Sequence, residues 1–251
     1  MNGLFIPFHF TPGAKGIYLR ALTGADELSV GTINTASVLS LLRLLSQNGN
    51  NGEEIDTGSI VTADRDRVIA QLYRSLYGAK IASTLECDGC GQKFDFDFSL
   101  DDLLAHFHPG QVLIPDDGMY EPEPGIRFRL PTGEDELAVQ GLDGAIAENM
   151  LLERCLAVGE PETNGKNIQL KMAELAPVLS QEIQAVCPEC NRVQQVLFDM
   201  QSFFMLRLTG ERRNLLEEVH LIASHYHWSH REILELPRSE RKSYAALITG
   251  N

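Results

Sequence analysis

Residues 17–30 read IYLRALTGADELSV, and residues 126–139 read IRFRLPTGEDELAV. Eight of the fourteen aligned positions are identical: Ile, Arg, Thr, Gly, Asp, Glu, Leu and Val. With common residues at roughly 7% each, about one identity would arise by chance. Self-similarity at a fixed separation sets the plan of a chain before any local pattern is weighed. Here it predicts two copies of one module.

Outward from each copy the order of signals is the same. SVLSLLRLLSQNG (37–49) follows the first copy and AIAENMLLERCLAVG (145–159) the second. In the first, Val38, Leu41, Leu42 and Leu45 fall at i, i+3, i+4 and i+7, one apolar helical face. Gly49 and Gly159 are placed to end these helices in a left-handed conformation. A polar loop comes next, then a helical or mixed segment, then a Cys-x-x-Cys pair. Strand-like KFDFDF or VQQVLFD and a short apolar segment complete each half. In the first half, Thr62 is placed to cap a helix carrying Asp64 and Asp66 in its first turn. Val68, Ile69, Leu72 and Leu76 would be its buried face, and Gly78 its end. A strand over Lys80–Glu86 then delivers the first cysteine pair.

The expected architecture is therefore α+β. Two duplicated modules, 17–107 and 126–208, each carry a zinc-ribbon-like β element. An N-terminal segment (1–16) precedes them, and a Pro-, Gly- and acid-rich linker (108–125) separates them. A helical tail (209–251) follows, with no counterpart in the first half. In that tail Leu215, Leu216, Val219 and Ile222 stripe one helix. Ser229 stands three before Glu232, a capping box, with Trp228 and Ile233 placed as a hydrophobic staple. Pro237 then breaks the chain before a last helix.

Four of the five cysteines form the pairs Cys87-Asp88-Gly89-Cys90 and Cys187-Pro188-Glu189-Cys190. Zinc takes four thiolates in a tetrahedron, so one knuckle from each module supplies a full set. Two other readings compete: ancestral pairs that hold no metal, and redox pairs. A redox pair usually opens a helix that lowers its thiol pKa, whereas each pair here runs into strand. The 97 positions between Cys90 and Cys187 are far more than a local ribbon uses. Cys155 aligns with Leu45 and reads as a core residue.

Lys plus Arg total 21 against 35 Asp plus Glu, a net charge of −14. Such a chain repels phosphate backbones, which disfavours nucleic acid as a partner. No apolar run approaches the ~18 residues of a membrane helix, and the start MNGLFIPFHF lacks a signal-peptide pattern. The acids of the repeated TGxDEL, Asp26, Glu27, Asp135 and Glu136, are explained by a turn followed by a helix or strand start, since catalytic sites rarely recur in identical local context. His220, His225, His227 and His230 read as a surface cluster. No nucleophile elbow, phosphate loop or dinucleotide fingerprint is present, so no enzyme, small-molecule substrate or membrane association is expected. Arg212, Arg213, Arg231, Arg238 and Arg241 crowd into the tail of an otherwise acidic chain, with Trp228 among them. They read either as a solvated face or as a docking surface for an acidic partner.

In order, TGADEL, TADRDRVIAQLYRSLYG, CDGCGQKFDFDFSL, CPEC and LLEEVHLIASHYHWSHREILELPRSERKSY resemble the T4-type phage baseplate family. Members of that family occur in contractile-tailed phages and in phage-tail-like contractile injection systems. The resemblance covers most of residues 17–250 and implies a structural or assembly protein that binds hub, spike or tube proteins. It also implies a bacterial cytoplasmic site of assembly, with particle component and transient assembly factor both open. The alternative is a cytosolic zinc-ribbon adaptor or regulator unrelated to any tail.

Overall fold

The computed structural model describes residues 3–47, 55–108, 110, 114–159 and 161–250, without the side chains of 161–164. Gly49 and residues 109 and 111–113 of the expected linker lie outside the described residues. The chain is a mixture of helices and small antiparallel sheets, an α+β protein.

The first half contains β1 (Leu4–Pro7), β2 (Gly16–Leu19), α1 (Gly24–Ser29), α2 (Thr35–Leu45) and β3 (Ser46–Gln47). It continues with α3 (Thr62–Tyr77), β4 (Lys80–Glu86), β5 (Lys93–Ser99) and α4 (Leu100–His106). The second contains β6 (Met119–Glu123), β7 (Ile126–Arg129), α5 (Gly133–Val139), α6 (Gly144–Cys155) and β8 (Leu156–Val158). Then come α7 (Pro161–Leu175), β9 (Ser180–Val186), β10 (Val193–Asp199) and α8 (Met200–Gly210). The chain ends with α9 (Arg212–Tyr226), α10 (His230–Glu235) and α11 (Arg238–Thr249). Apart from a 3-10 turn at Thr57–Ser59, present among the described residues only in the first half, β1 to α4 and β6 to α8 run in the same order. The three-stranded sheets are ordered β1-β2-β3 and β6-β7-β8, and the ribbons pair β4 with β5 and β9 with β10.

Several boundaries differ from the sequence expectation. The N-terminal segment supplies β1, and the linker supplies β6, because each is needed as the outer partner of the strand beside it. α6 stops at Cys155 and the chain turns extended into β8, so Gly159 follows a strand rather than ending the helix. Thr62 is the first helical residue of α3, not its cap; Val61 holds that position without a side-chain bond. Asp64 is occupied elsewhere, accepting the N–H groups of His9, Phe10 and Thr11 at 2.8–2.9 Å.

The chain forms two compact units that cut across the sequence repeats. One comprises Met1–Phe8, Ala14–Gly58 and Phe204–Asn251; the other comprises His9–Gly13 and Ser59–Phe203. In the first unit, the apolar face of α2 is buried through Val38, Leu39, Leu41, Leu42 and Leu45. There α9, α10 and α11 close on Leu215, Val219, Ile222, Ile233 and Leu234, with Trp228 and Tyr244 packed alongside. The Ser229–Glu232 capping box forms as its spacing predicts. In the second unit, Phe10, Val61, Ala63, Tyr120, Ile126, Phe128, Leu130, Leu152 and Ile168 form one core. Among the described residues, no helix is long and apolar enough to cross a membrane.

Candidate metal centre

The alternation KFDFDF sends Phe94, Phe96 and Phe98 to one face of β5 and Lys93, Asp95 and Asp97 to the other. β4 pairs with β5 over seven residues, from Lys80↔Ser99 to Glu86↔Lys93. β9 and β10 pair in the same way, from Ser180↔Asp199 to Val186↔Val193. Each ribbon therefore presents a Cys-x-x-Cys turn at its tip. The two turns are built alike. Cys87 N–H bonds Gln92 O, and Gly91 N–H bonds Cys87 O, both at 2.9 Å. Cys187 N–H bonds Arg192 O, and Asn191 N–H bonds Cys187 O, at the same distances. Both turns need a left-handed residue after the second cysteine. Gly91 takes φ 71° and Asn191 φ 58°, the residue types that visit this region at least cost.

The tips converge. Cys87 Sγ lies 3.6 Å from Cys190 Sγ, and Cys90 Sγ lies 3.8 Å from Cys187 Sγ. All four sulfurs lie within 4.8 Å of one another. Zinc–sulfur bonds of about 2.3 Å in a tetrahedron place sulfurs about 3.8 Å apart, so the donor set has the size a thiolate-bound metal requires. None of the cysteines is paired in a disulfide. The cluster could bind a metal such as zinc, with Cys87 and Cys187 buried and Cys90 and Cys190 exposed. Beneath it, Phe94 and Ala185 pack with the buried cysteines, flanked by Leu85, Phe96 and Val196.

Polar contacts hold the knuckles in register. Arg192 Nε donates to Asp88 Oδ1 at 2.6 Å. Gln194 Nε2 donates to Glu86 O, and Asp88 N–H donates to Gln194 Oε1, both at 3.1 Å. Gly89 lets the Arg192 stem pass, since a Cβ there would stand 2.5 Å from Arg192 Cδ. Electrostatically the four thiols compete. N–H groups of Cys90 and Gly89 bring the Cys87 thiol down to about 6. At Cys190 the Arg192 N–H favours the thiolate, but a hydrogen bond to Cys87 and the other sulfurs outweigh it and push the thiol up to about 12. A divalent cation at the centre would relieve this conflict by favouring every thiolate at once.

The other residues singled out by sequence have separate places. Asp26 and Asp135 complete capping boxes with Thr23 and Thr132. Each also takes a forked pair of bonds from an arginine six residues earlier, Arg20 or Arg129. Burial works against charge on Asp135, but Arg129, the Thr132 N–H and the Thr132 hydroxyl outweigh it and hold the carboxyl well below its usual range. Glu136 receives Arg65. Glu27 receives both Arg238 (2.5 Å) and Arg241 (2.6 Å).

Arg238 and Arg241 are consequently not a docking surface. They are 4% and 0% exposed. Besides Glu27 they engage Glu211 and Glu218, because burial of a guanidinium demands a carboxylate for each fork. Arg212, Arg213 and Arg231 are exposed, with Arg213 and Arg231 bridged one turn along to Glu217 and Glu235. Trp228 is half-buried, stacked on Tyr226 at 5.4 Å and edge-on to Tyr244 at 5.0 Å.

The tail also has a counterpart that the sequence reading missed. Arg238 N–H bonds Leu22 O at 2.8 Å, Pro237 bridges Thr23, and Arg241 reaches Glu27. In the other unit, Thr62 N–H bonds Pro131 O at 3.0 Å, Val61 bridges Thr132, and Arg65 reaches Glu136. Each TGxDEL turn is thus clamped by the start of a helix with arginine at its fourth position. The legible signal was the pair IVTADR (60–65) and LPRSER (236–241). Gly24 admits this approach: a Cβ would stand 2.8 Å from both Arg241 Nη1 and Leu234 Cδ2.

Comparison with protein-family models, with curated proteins and with solved structures gave no match.

Proposed function

We propose that this protein is a non-enzymatic structural or assembly component of a contractile tail or injection-system baseplate. In this reading it binds other tail proteins and carries one structural zinc on Cys87, Cys90, Cys187 and Cys190. The observation that carries the proposal is the convergence of two ribbon tips, 97 residues apart in sequence, into one set of four sulfurs of zinc-binding size. A metal held by four protein thiolates has no open position for substrate and serves as a staple. The repeated acids of both TGxDEL turns are engaged by arginines, a structural use. Placement at a baseplate rests on the order of motifs from TGADEL to the C-terminal RSERKSY.

The common element order of the two halves, with the same sheet order and the same clamp geometry, supports an internal duplication. In this reading α11 extends the plan, supplying to the first TGxDEL turn what α3 supplies to the second.

Two measurements test the proposal. Elemental analysis of purified protein should give near one zinc per chain. Tagged protein, expressed together with the tail genes of its source, should co-purify with tube, spike or baseplate subunits. Zinc without any tail subunit would favour the adaptor alternative; absence of bound metal would remove the staple.

A further inference from the structure

α6 is apolar on two opposite sides. Leu151, Leu152 and Cys155 lie on its inner side, where Leu152 joins the core of its unit. Ile146 and Met150 lie one turn apart on the outer side, and Leu142 extends the line just before the N-cap Asp143. Ile146 is 58% exposed, and Leu142 and Met150 are exposed with it, as is Leu137 of α5. The inner side is covered by its unit, whereas the outer apolar line meets solvent.

α2 shows that the architecture does not require this. Leu45 and Cys155 end the two helices, each directly before the third strand of its sheet. Counting back from those ends, Thr32, Ala36 and Ser40 occupy the places of Leu142, Ile146 and Met150. All three are exposed. At those three places the residues are small on α2 and large and apolar on α6, although α2 carries an exposed leucine of its own, Leu44, one turn beyond Ser40.

The charge around the apolar line is mainly acidic. From Leu130 to Glu153 the sequence has six carboxylates and no Lys, Arg or His, and Arg154, one turn beyond Met150 on the same side, is engaged by Asp135. Asp135 and Glu136 are taken by Arg129, Arg154 and Arg65. Glu134, Asp143 and Glu153 are exposed; Glu148, also exposed, lies with Leu151, Leu152 and Cys155 on the inner side. An apolar line with an acidic border complements an amphipathic helix whose apolar stripe is bordered by Lys or Arg. A second copy of this chain, at −14, is a poor match.

We infer that the outer face of α6, through Leu142, Ile146 and Met150, docks a basic amphipathic helix of a partner protein. The inference takes from the proposed function only that this protein acts by binding other proteins. Its test therefore uses no tail protein, and it can fail while tail co-purification succeeds, or the reverse.

The probe is a fluorescently labelled synthetic helix with leucines at i, i+4 and i+7 and lysines elsewhere, titrated with the full chain and followed by anisotropy. A second probe replaces every lysine with glutamate. The protein variant carries Ile146→Ala and Met150→Ser, the residues α2 uses at those places; both sites are exposed, so folding should be unchanged. The expected result is binding of the lysine probe, weakened about tenfold or more by the double substitution and by added salt, with no binding of the glutamate probe. Glu134→Lys with Glu153→Lys should also weaken the lysine probe. Failure of the lysine probe to bind overturns the inference. So does equal binding by the double variant, which would mean attraction by bulk charge alone. Binding of both probes alike also overturns it, as does a dimer of the chain that the double substitution dissociates.

Discussion

Glu27 is the residue on which the first unit's charge arrangement turns. It is 5% exposed and accepts from two buried guanidiniums. Removing one member of a buried ionic set strands the others, which costs about 3–5 kcal/mol. Glu27→Ala should therefore lower stability in urea by that order. Glu217→Ala, at the exposed pair with Arg213, should change it by about 1 kcal/mol or less. Arg238→Glu with Arg241→Glu should unfold the first unit rather than abolish docking alone. Two carboxyls of the other unit make opposite contributions with pH. Asp135 is held below its ordinary value of 3.8, so the stability it adds is present above about pH 4 and lost as pH falls further. Asp66 is pushed by burial up to about 6, against the pull of Arg65. Its neutral form suits the fold, so its contribution is full below 3.8 and declines as pH rises through about 6. Melting temperatures across pH 3–7 should show Asp135→Asn flattening the acid limb and Asp66→Asn flattening the stretch between pH 4 and 6.

Among the elements, the ribbons and their knuckles are where a bound metal would matter most. Two seven-residue ribbons expose much of their surface, and isolated hairpins are marginal in water. Replacing Cys87 and Cys187 with serine leaves one thiolate per knuckle. Bound zinc should drop to near zero, and the thiolate-to-cobalt absorption of cobalt-loaded protein should disappear. The ribbon pattern was readable in advance, because KFDFDF has strict period two and its phenylalanines face inward. The start of α3 was not. Its threonine and aspartates have the composition of a cap, yet Asp64 is drawn to the backbone of His9–Thr11, a partner more than fifty residues away. Local composition cannot report such a partner.

For the whole molecule, the division into two units makes the C-terminal region part of the first. Deleting residues 236–251 removes the clamp on Glu27 and opens the cluster around Leu215, Ile222 and Ile233. That deletion should lose the helical signal of the first unit in circular dichroism. The cysteine site belongs wholly to the other unit, so the deleted protein should still give cobalt–thiolate absorption. Loss of that absorption would mean that the two units do not fold separately.

The sequence by itself determined the local and periodic features. These are the two TGxDEL turns, the apolar face of α2, the strand and knuckle of each ribbon, the Ser229–Glu232 capping box and the four-cysteine candidate set. Each is written in spacings of a few residues, where backbone geometry fixes which side chains meet. Only the tertiary structure decided which arginines are surface and which are core. Arg212 and Arg241 are the same residue type in similar helical surroundings, and their fates differ because Glu27, Glu211 and Glu218 meet Arg238 and Arg241 and not Arg212. The pairing through Glu27 joins positions more than 200 residues apart. It follows from how helices pack, which short-range pattern does not encode.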